Sequence, residues 1–194
     1  MNWSLYNLFF QTGIAHIISL KGLDHLLFIV ALTVLARQPR PALGLLTAFT
    51  AGHTAAMVLV LAGHFPRPGA WVEWAIVATI AYSAYRLLAL GFRPARAPVS
   101  SFKLSLALAL VFGLVHGLGF SSALASMVVP GQGVLPLLVP FALGIEVAQA
   151  WVAVLVLIWL KLSVRQGIPY YILVRAAGLV VAGGVAWAIV QLVI

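Results

Sequence analysis

The sequence predicts an all-α, polytopic membrane protein: a bundle of six transmembrane helices preceded by an N-terminal interfacial or re-entrant helix. Three observations predict it. Hydrophobic residues fill 64% of the 194 positions, and mean hydropathy is +1.15. Charged residues account for only 7%, against roughly a quarter in an ordinary soluble domain. The apolar residues also run in stretches of about 20, the length that crosses a hydrocarbon core of about 30 Å. This composition excludes a soluble globular enzyme, a disordered chain and a nucleic-acid binder, which would cluster its bases on a polar surface.

The first span is expected at 22–37, opening with "GLDHLLFIVALTVLA". The others follow at 42–63, 70–91, 102–128, 134–160 and 169–193. Between them lie short loops with turn punctuation: "RQPRP" at 37–41, "HFPRPG" at 64–69, "RPARAP" at 93–98, "PGQG" at 130–133 and "RQGIP" at 165–169. No linker is long enough to divide the chain, so residues 1–194 read as one integral membrane domain. The first span is short: sixteen residues at about 1.5 Å each reach about 24 Å. The apolar segment before it, 4–20, carries Asn7, Gln11 and His16. It reads as an interfacial or re-entrant helix, or as a seventh span. The N-terminus has neither a basic run nor a small-residue cleavage site, so no cleavable signal is expected. The chain has no cysteine, which excludes disulfides and thiolate metal sites.

Orientation follows from the bases. With the 37–41 loop in the cytoplasm, the inner side holds Arg37, Arg40, Arg86, Arg93, Arg96, Lys103, Lys161, Arg165 and Arg175. The outer side holds only Lys21 and Arg67. That is a positive-inside distribution, as in a multi-pass plasma-membrane protein, and a bacterial-type inner membrane is the expected location. The loops at 37–41, 92–101 and 161–168 are then cytoplasmic.

The same topology places the ionisable groups. The chain has only three acids, Asp24, Glu73 and Glu146. Asp24 and His25 fall near the outer end of the first span, and Glu73 near the outer end of the third. His53, His116 and Glu146 fall near the midplane, while His16 can fold over the outer mouth. A central ionisable group costs about 2.5–3.5 kcal/mol on insertion scales, so such groups face a bundle interior, pair, or line a watered cavity. Several helices aiming such residues at one depth indicate one site. Thr50, Thr54 and Gln149 lie where their side chains can orient an imidazole or carboxylate from behind. Structural explanations stand beside this one. Asp24 and Glu73 also suit the first turn of a helix. A lone intramembrane histidine also serves as an interhelical hydrogen bond. Glu146 has no helix end nearby to excuse it. His64, in a Pro-rich loop, reads as solvated.

Imidazole and carboxylate without thiol form a ligand set for borderline divalent metals. The ligands would come from separate helices, so their spacing in sequence names no metal.

Five blocks occur in order: "GLDHLLFIVAL" (22–32), "LLTAFTAGHT" (45–54), "WVEWAI" (71–76), "FGLVHGLGFSSAL" (112–124) and "FALGIEVAQAW" (141–151). Together they resemble the HupE/UreJ family of hydrogenase and urease accessory membrane proteins, described as nickel or cobalt permeases. The resemblance covers about residues 13–160. It implies a metal-binding role for His16, Asp24 and His25 at the first span, and for His53, Glu73, His116 and Glu146 in the later blocks. His16 and Asp24 stand further apart here than in the family's permease members. The resemblance implies a divalent ion, nickel or cobalt, as cargo, and metalloenzyme-maturation proteins or a second copy of the chain as partners in the bilayer. The alternative class is a zinc-dependent intramembrane hydrolase, with histidines holding zinc and a carboxylate acting as general base.

Overall fold

The computed structural model describes residues 3–66, 68–93, 101–127 and 133–194. Arg67, Arg96, most of the 93–98 loop and residues 130–132 of the "PGQG" loop lie outside the described residues. Seven α-helices follow one another: α1 (Trp3–Ile18), α2 (Leu23–Ala36), α3 (Pro39–Leu61), α4 (Trp71–Phe92), α5 (Phe102–Ala125), α6 (Leu135–Arg165) and α7 (Tyr170–Val193). The described residues contain no strand. The helix ends agree with the expected spans to within a few residues, except that α6 continues to Arg165.

Five helices, α3 to α7, are long and apolar enough to cross a membrane. The expected first span is different. At 14 residues, α2 reaches only about 21 Å. It joins α1 through a single 3-10 turn at Leu20–Gly22, and the two axes meet at 72°. Counted together, α1 and α2 form one bent pair, apolar and long enough for a broken span or a re-entrant loop. The segment at 4–20 is therefore a helix that folds back into the bundle.

Local chemistry sets several boundaries. Arg37 closes α2 in the left-handed conformation (φ 63°), and its N–H bonds the Thr33 carbonyl. Pro39 then starts α3 at a position where the missing N–H costs nothing. Ser101 caps α5 by accepting from the Leu104 N–H at 3.2 Å. Pro140 lies inside α6, near its start, a placement that membrane helices tolerate when neighbours satisfy the freed backbone.

The helices pack mainly as pairs, α3 on α5, α4 on α7 and α1 on α6, with α2 in the middle touching α3, α4, α6 and α7. Association between helices in lipid depends on close approach, and glycines permit it here. A Cβ at Gly113 would land on the Phe49 carbonyl, and one at Gly117 on the His53 backbone. Gly13 on α1 and Gly144 on α6 do the same reciprocally against the Phe141 and Phe10 carbonyls. The outward faces stay apolar: Trp151, Leu155, Ile158 and Trp159 of α6 and Leu179, Val180 and Trp187 of α7 are exposed. A lipid-facing bundle shows this pattern.

One end of the bundle gathers the bases. Arg175 donates from Nε to the Gly91 carbonyl at 2.8 Å and lies over the Phe92 ring. Arg37 lies 3.8 Å over the Tyr170 ring, whose hydroxyl donates to the Val34 carbonyl. The end of α2, the end of α4 and the start of α7 are pinned together there.

Candidate metal centre

The bent α1–α2 corner brings His16 back over the start of α2. The glycine contact of α3 on α5 brings His53 next to His116. The central position of α2 puts His25 between these pairs. Ring centroids of His16 and His25 are 4.4 Å apart, His16 and His53 5.4 Å, His25 and His53 5.5 Å, and His25 and His116 5.0 Å. Two groups of three could hold an ion: His16, His25 and His53, and Asp24, His25 and His116. Within each group one ligand atom per residue lies within 4.8 Å of the others. His25 belongs to both.

Four of the imidazoles are deeply placed. His53, His116 and His25 are 0%, 1% and 3% exposed, and His16 buries its Nε2. Around them stand Phe28, Phe49, Phe120 and Phe141. Phe120 lies 4.0 Å from His16, Phe49 5.2 Å from His116, and Phe120 stacks on Phe141. Such a wall lowers the local dielectric, which strengthens attraction to a cation and raises the cost of an unpaired polar atom.

Unpaired polar atoms are what the cluster holds. His16 Nε2, His25 Nε2, both nitrogens of His53 and His116 Nδ1 are buried without a hydrogen-bond partner. A buried polar atom left unsatisfied costs about 1–3 kcal/mol. Five of them in one cluster are a large cost for a site with no ligand, and a small one for a site that binds a cation. His25 shows which nitrogen is offered. Its Nδ1 is 2.9 Å from Asp24 Oδ1, and an ionised carboxylate only accepts. Nδ1 therefore carries the proton and Nε2 keeps its lone pair, the arrangement in which a carboxylate orients a metal-binding histidine. Asp24 is part-exposed, its side chain 26% accessible. It lines a cleft of about 220 Å³ between α2, α4 and α7, with Leu20, Glu73, Trp187 and Gln191.

The remaining candidates divide. Glu73 is exposed and stands in that cleft with Asp24, outside both groups of three. Glu146 also joins neither group; its Oε2 accepts from Thr47 Oγ1 at 3.3 Å. Thr50 is buried, donates to the Leu46 carbonyl and accepts from Gln149 Nε2. Gln149 Oε1 and Thr54 Oγ1 are buried without partners. His64 is exposed and bonds the Ala62 carbonyl. Two features escape a reading by depth alone. One is the phenyl wall, signalled in the sequence by Phe49 one turn before His53 and Phe120 one turn after His116. The other is Thr79 of α4, whose hydroxyl lies 2.9 Å from His116 Nε2. No sequence signal links residues 37 positions apart.

Asp24→Asn is expected to weaken divalent-ion binding by roughly 10–100-fold, the usual cost of losing the group that orients a metal-binding histidine. The amide can present an N–H to Nδ1 and favour the wrong tautomer. Isothermal titration of purified protein in detergent checks this, and affinity unchanged within twofold would contradict the orienting role.

The fold and cluster together define a class: a polytopic helical membrane protein with a buried histidine–carboxylate centre. A family profile described as HupE / UreJ protein matches residues 1–192. The chain belongs to that family. No curated protein and no solved structure matches the chain.

Proposed function

We propose that the chain binds a divalent transition-metal cation, nickel or cobalt, as cargo and carries it across the bacterial inner membrane. The observation that carries this reading is the set of unpartnered buried nitrogens on His16, His25 and His53, drawn from α1, α2 and α3 and lying within reach of one ion. Imidazole suits nickel, cobalt and zinc alike, and family membership favours the first two. The gathered bases Arg37, Arg175, Arg86 and Lys161 support a cytoplasmic assignment for their end of the bundle. The metal cluster then opens outward. Glu73 and Asp24 stand on its outer approach, and the three histidines hold the ion further in.

Glu146 and its Thr47 partner lie on α6 and α3, closer to the basic end than His53 is along α3. They supply a carboxylate on the inward side, where the ion must leave. Glu146→Gln is accordingly expected to lower transport while leaving equilibrium binding within about threefold of wild type. Uptake of radiolabelled nickel, paired with titration of the same variant, reads both quantities. Equal loss in both would place Glu146 in the binding centre instead.

The zinc-hydrolase reading draws on the same residues and differs in what it requires. It needs tightly held, stoichiometric zinc in protein purified without added metal. Metal analysis of such protein separates the two: cargo exchanges and is lost on dialysis against chelator, whereas a catalytic zinc stays at one per chain. Cells expressing the wild-type chain are expected to accumulate nickel or cobalt above control cells. Accumulation equal to that of control cells would overturn the transport reading.

A further inference from the structure

The three-histidine set does not account for His116. This residue is 1% exposed, on α5, with Nδ1 pointing at Asp24 Oδ2 from 3.6 Å and Nε2 at Thr79 Oγ1 from 2.9 Å. Thr79 decides what the ring can do. Its hydroxyl has one proton, and it lies 2.7 Å from the Ile76 carbonyl, an acceptor with no proton to give. The hydroxyl therefore donates to Ile76 and accepts from His116. In the neutral imidazole the proton is then on Nε2, and Nδ1 is left with a lone pair. That lone pair faces a carboxylate oxygen, which also has only lone pairs. Two acceptors face each other across 3.6 Å in the wall of a bundle, with no donor between them among the described residues. The opening in front of Asp24 is the α2–α4–α7 cleft, where Glu73 adds a further carboxylate.

We propose that Asp24 and His116 form a second divalent-cation position beside the three-histidine set, and that Thr79 creates it by holding His116 in the Nε2–H tautomer. The inference rests on the metal-centre reading above but concerns different atoms. Two facing acceptors repel unless a cation lies between them, and a carboxylate oxygen with an imidazole nitrogen suits a borderline divalent ion. The position borders the cleft through Asp24, and His25 belongs to both groups. An ion taken from the cleft by Asp24 and His116 thus passes to His16, His25 and His53 by exchanging ligands around one shared ring. Thr79 is a positioning residue: it acts through His116 and need not touch the ion.

The test uses the full chain in detergent micelles, labelled with 15N-histidine, with the His116 signals assigned by a His116→Gln variant. In metal-free protein, the long-range 15N–1H pattern of His116 is expected to show Nε2–H with Nδ1 unprotonated. Thr79→Val, which keeps the shape and removes the hydroxyl, is expected to lose that pattern, and Thr79→Ser to restore it. Titration with diamagnetic zinc(II) then follows the imidazole signals one by one. Wild type is expected to take two ions per chain, one shifting the coordinated nitrogens of His16 and His53 and one shifting that of His116. Thr79→Val keeps the first and weakens the second by tenfold or more, and Thr79→Ser recovers it. A metal-free His116 that is Nδ1–H or doubly protonated overturns the proposal. So does zinc coordinated only by His16, His25 and His53 at one ion per chain, a result that leaves the three-histidine centre standing. Zinc coordinated by His116 without His16 or His53 supports the second position and removes the three-histidine centre. Loss of the second ion in both Thr79→Val and Thr79→Ser would show a packing role for Thr79 and overturn its part.

Discussion

Replacing His25 with alanine is expected to abolish high-affinity binding of nickel or cobalt, weakening it by roughly a hundredfold or more. Loss of an orienting group behind a ligand already costs up to about a hundredfold, and removing a ligand shared by both groups costs at least as much. In energy this is about 3 kcal/mol or more. The effect should exceed that of any other single histidine, because His25 alone belongs to both groups of three. Its removal also strips Asp24 of its 2.9 Å partner and leaves a carboxylate in the cleft wall whose nearest remaining ion-pair partner is His116 at 3.6 Å. His16→Ala and His53→Ala each break one group and are expected to cost less. Parallel calorimetric titrations of the three variants rank them. His25→Ala binding as tightly as His16→Ala would show that the shared ring has no special place.

The second large effect is expected from Gly117→Val on α5. A Cβ there would meet the His53 backbone, not a side chain that can swing away. The helices must separate, and α3–α5 is a close pair built on glycine from both sides: Gly52 on α3, Gly113 and Gly117 on α5. Overpacking a well-filled interior costs about 1–3 kcal/mol, and obstruction by backbone belongs at the upper end. The consequence is double. Thermal unfolding in detergent shifts down by several degrees, and cation affinity falls because His53 is carried away from His16 and His25. Gly183→Val on α7, where an added Cβ meets nothing, serves as the control and should leave both readouts near wild type. A stable Gly117→Val protein with unchanged affinity would mean that the close approach does not position the site.

Much of this architecture is written in the chain, and the physical reasons are separable. Apolar runs of membrane-spanning length predict the long helices, because lipid allows no other way to satisfy the backbone. Depth alone brings His25, His53 and His116 into the outer half of the bundle, between its midplane and its outer face, and His16 to the mouth above them. Depth says nothing about the direction a residue faces around its helix. For that reason Glu146, at a plausible level, pairs with Thr47 and joins neither group of three. The same gap hides Thr79. A threonine in "IVATIAYSAY" reads as an ordinary small residue until α4 is packed beside α5. The bend between α1 and α2 has a local signal, the "SLKG" break at 19–22, but neither its 72° angle nor the packing of α1 on α6 has one. Gly13 and Gly144 make that contact, and neither marks its partner in the sequence.

His16, His25 and His53 are expected to hold one divalent cation between α1, α2 and α3. The most direct test is a crystal structure of the protein loaded with nickel(II) or cobalt(II), with anomalous difference maps collected on either side of the metal's absorption edge. A peak is expected within about 2.0–2.2 Å of a nitrogen of each of the three histidines, typical metal–imidazole lengths, with His25 bonded through Nε2 and its Nδ1 still on Asp24. A loaded protein whose anomalous peaks all lie away from these three rings would contradict it.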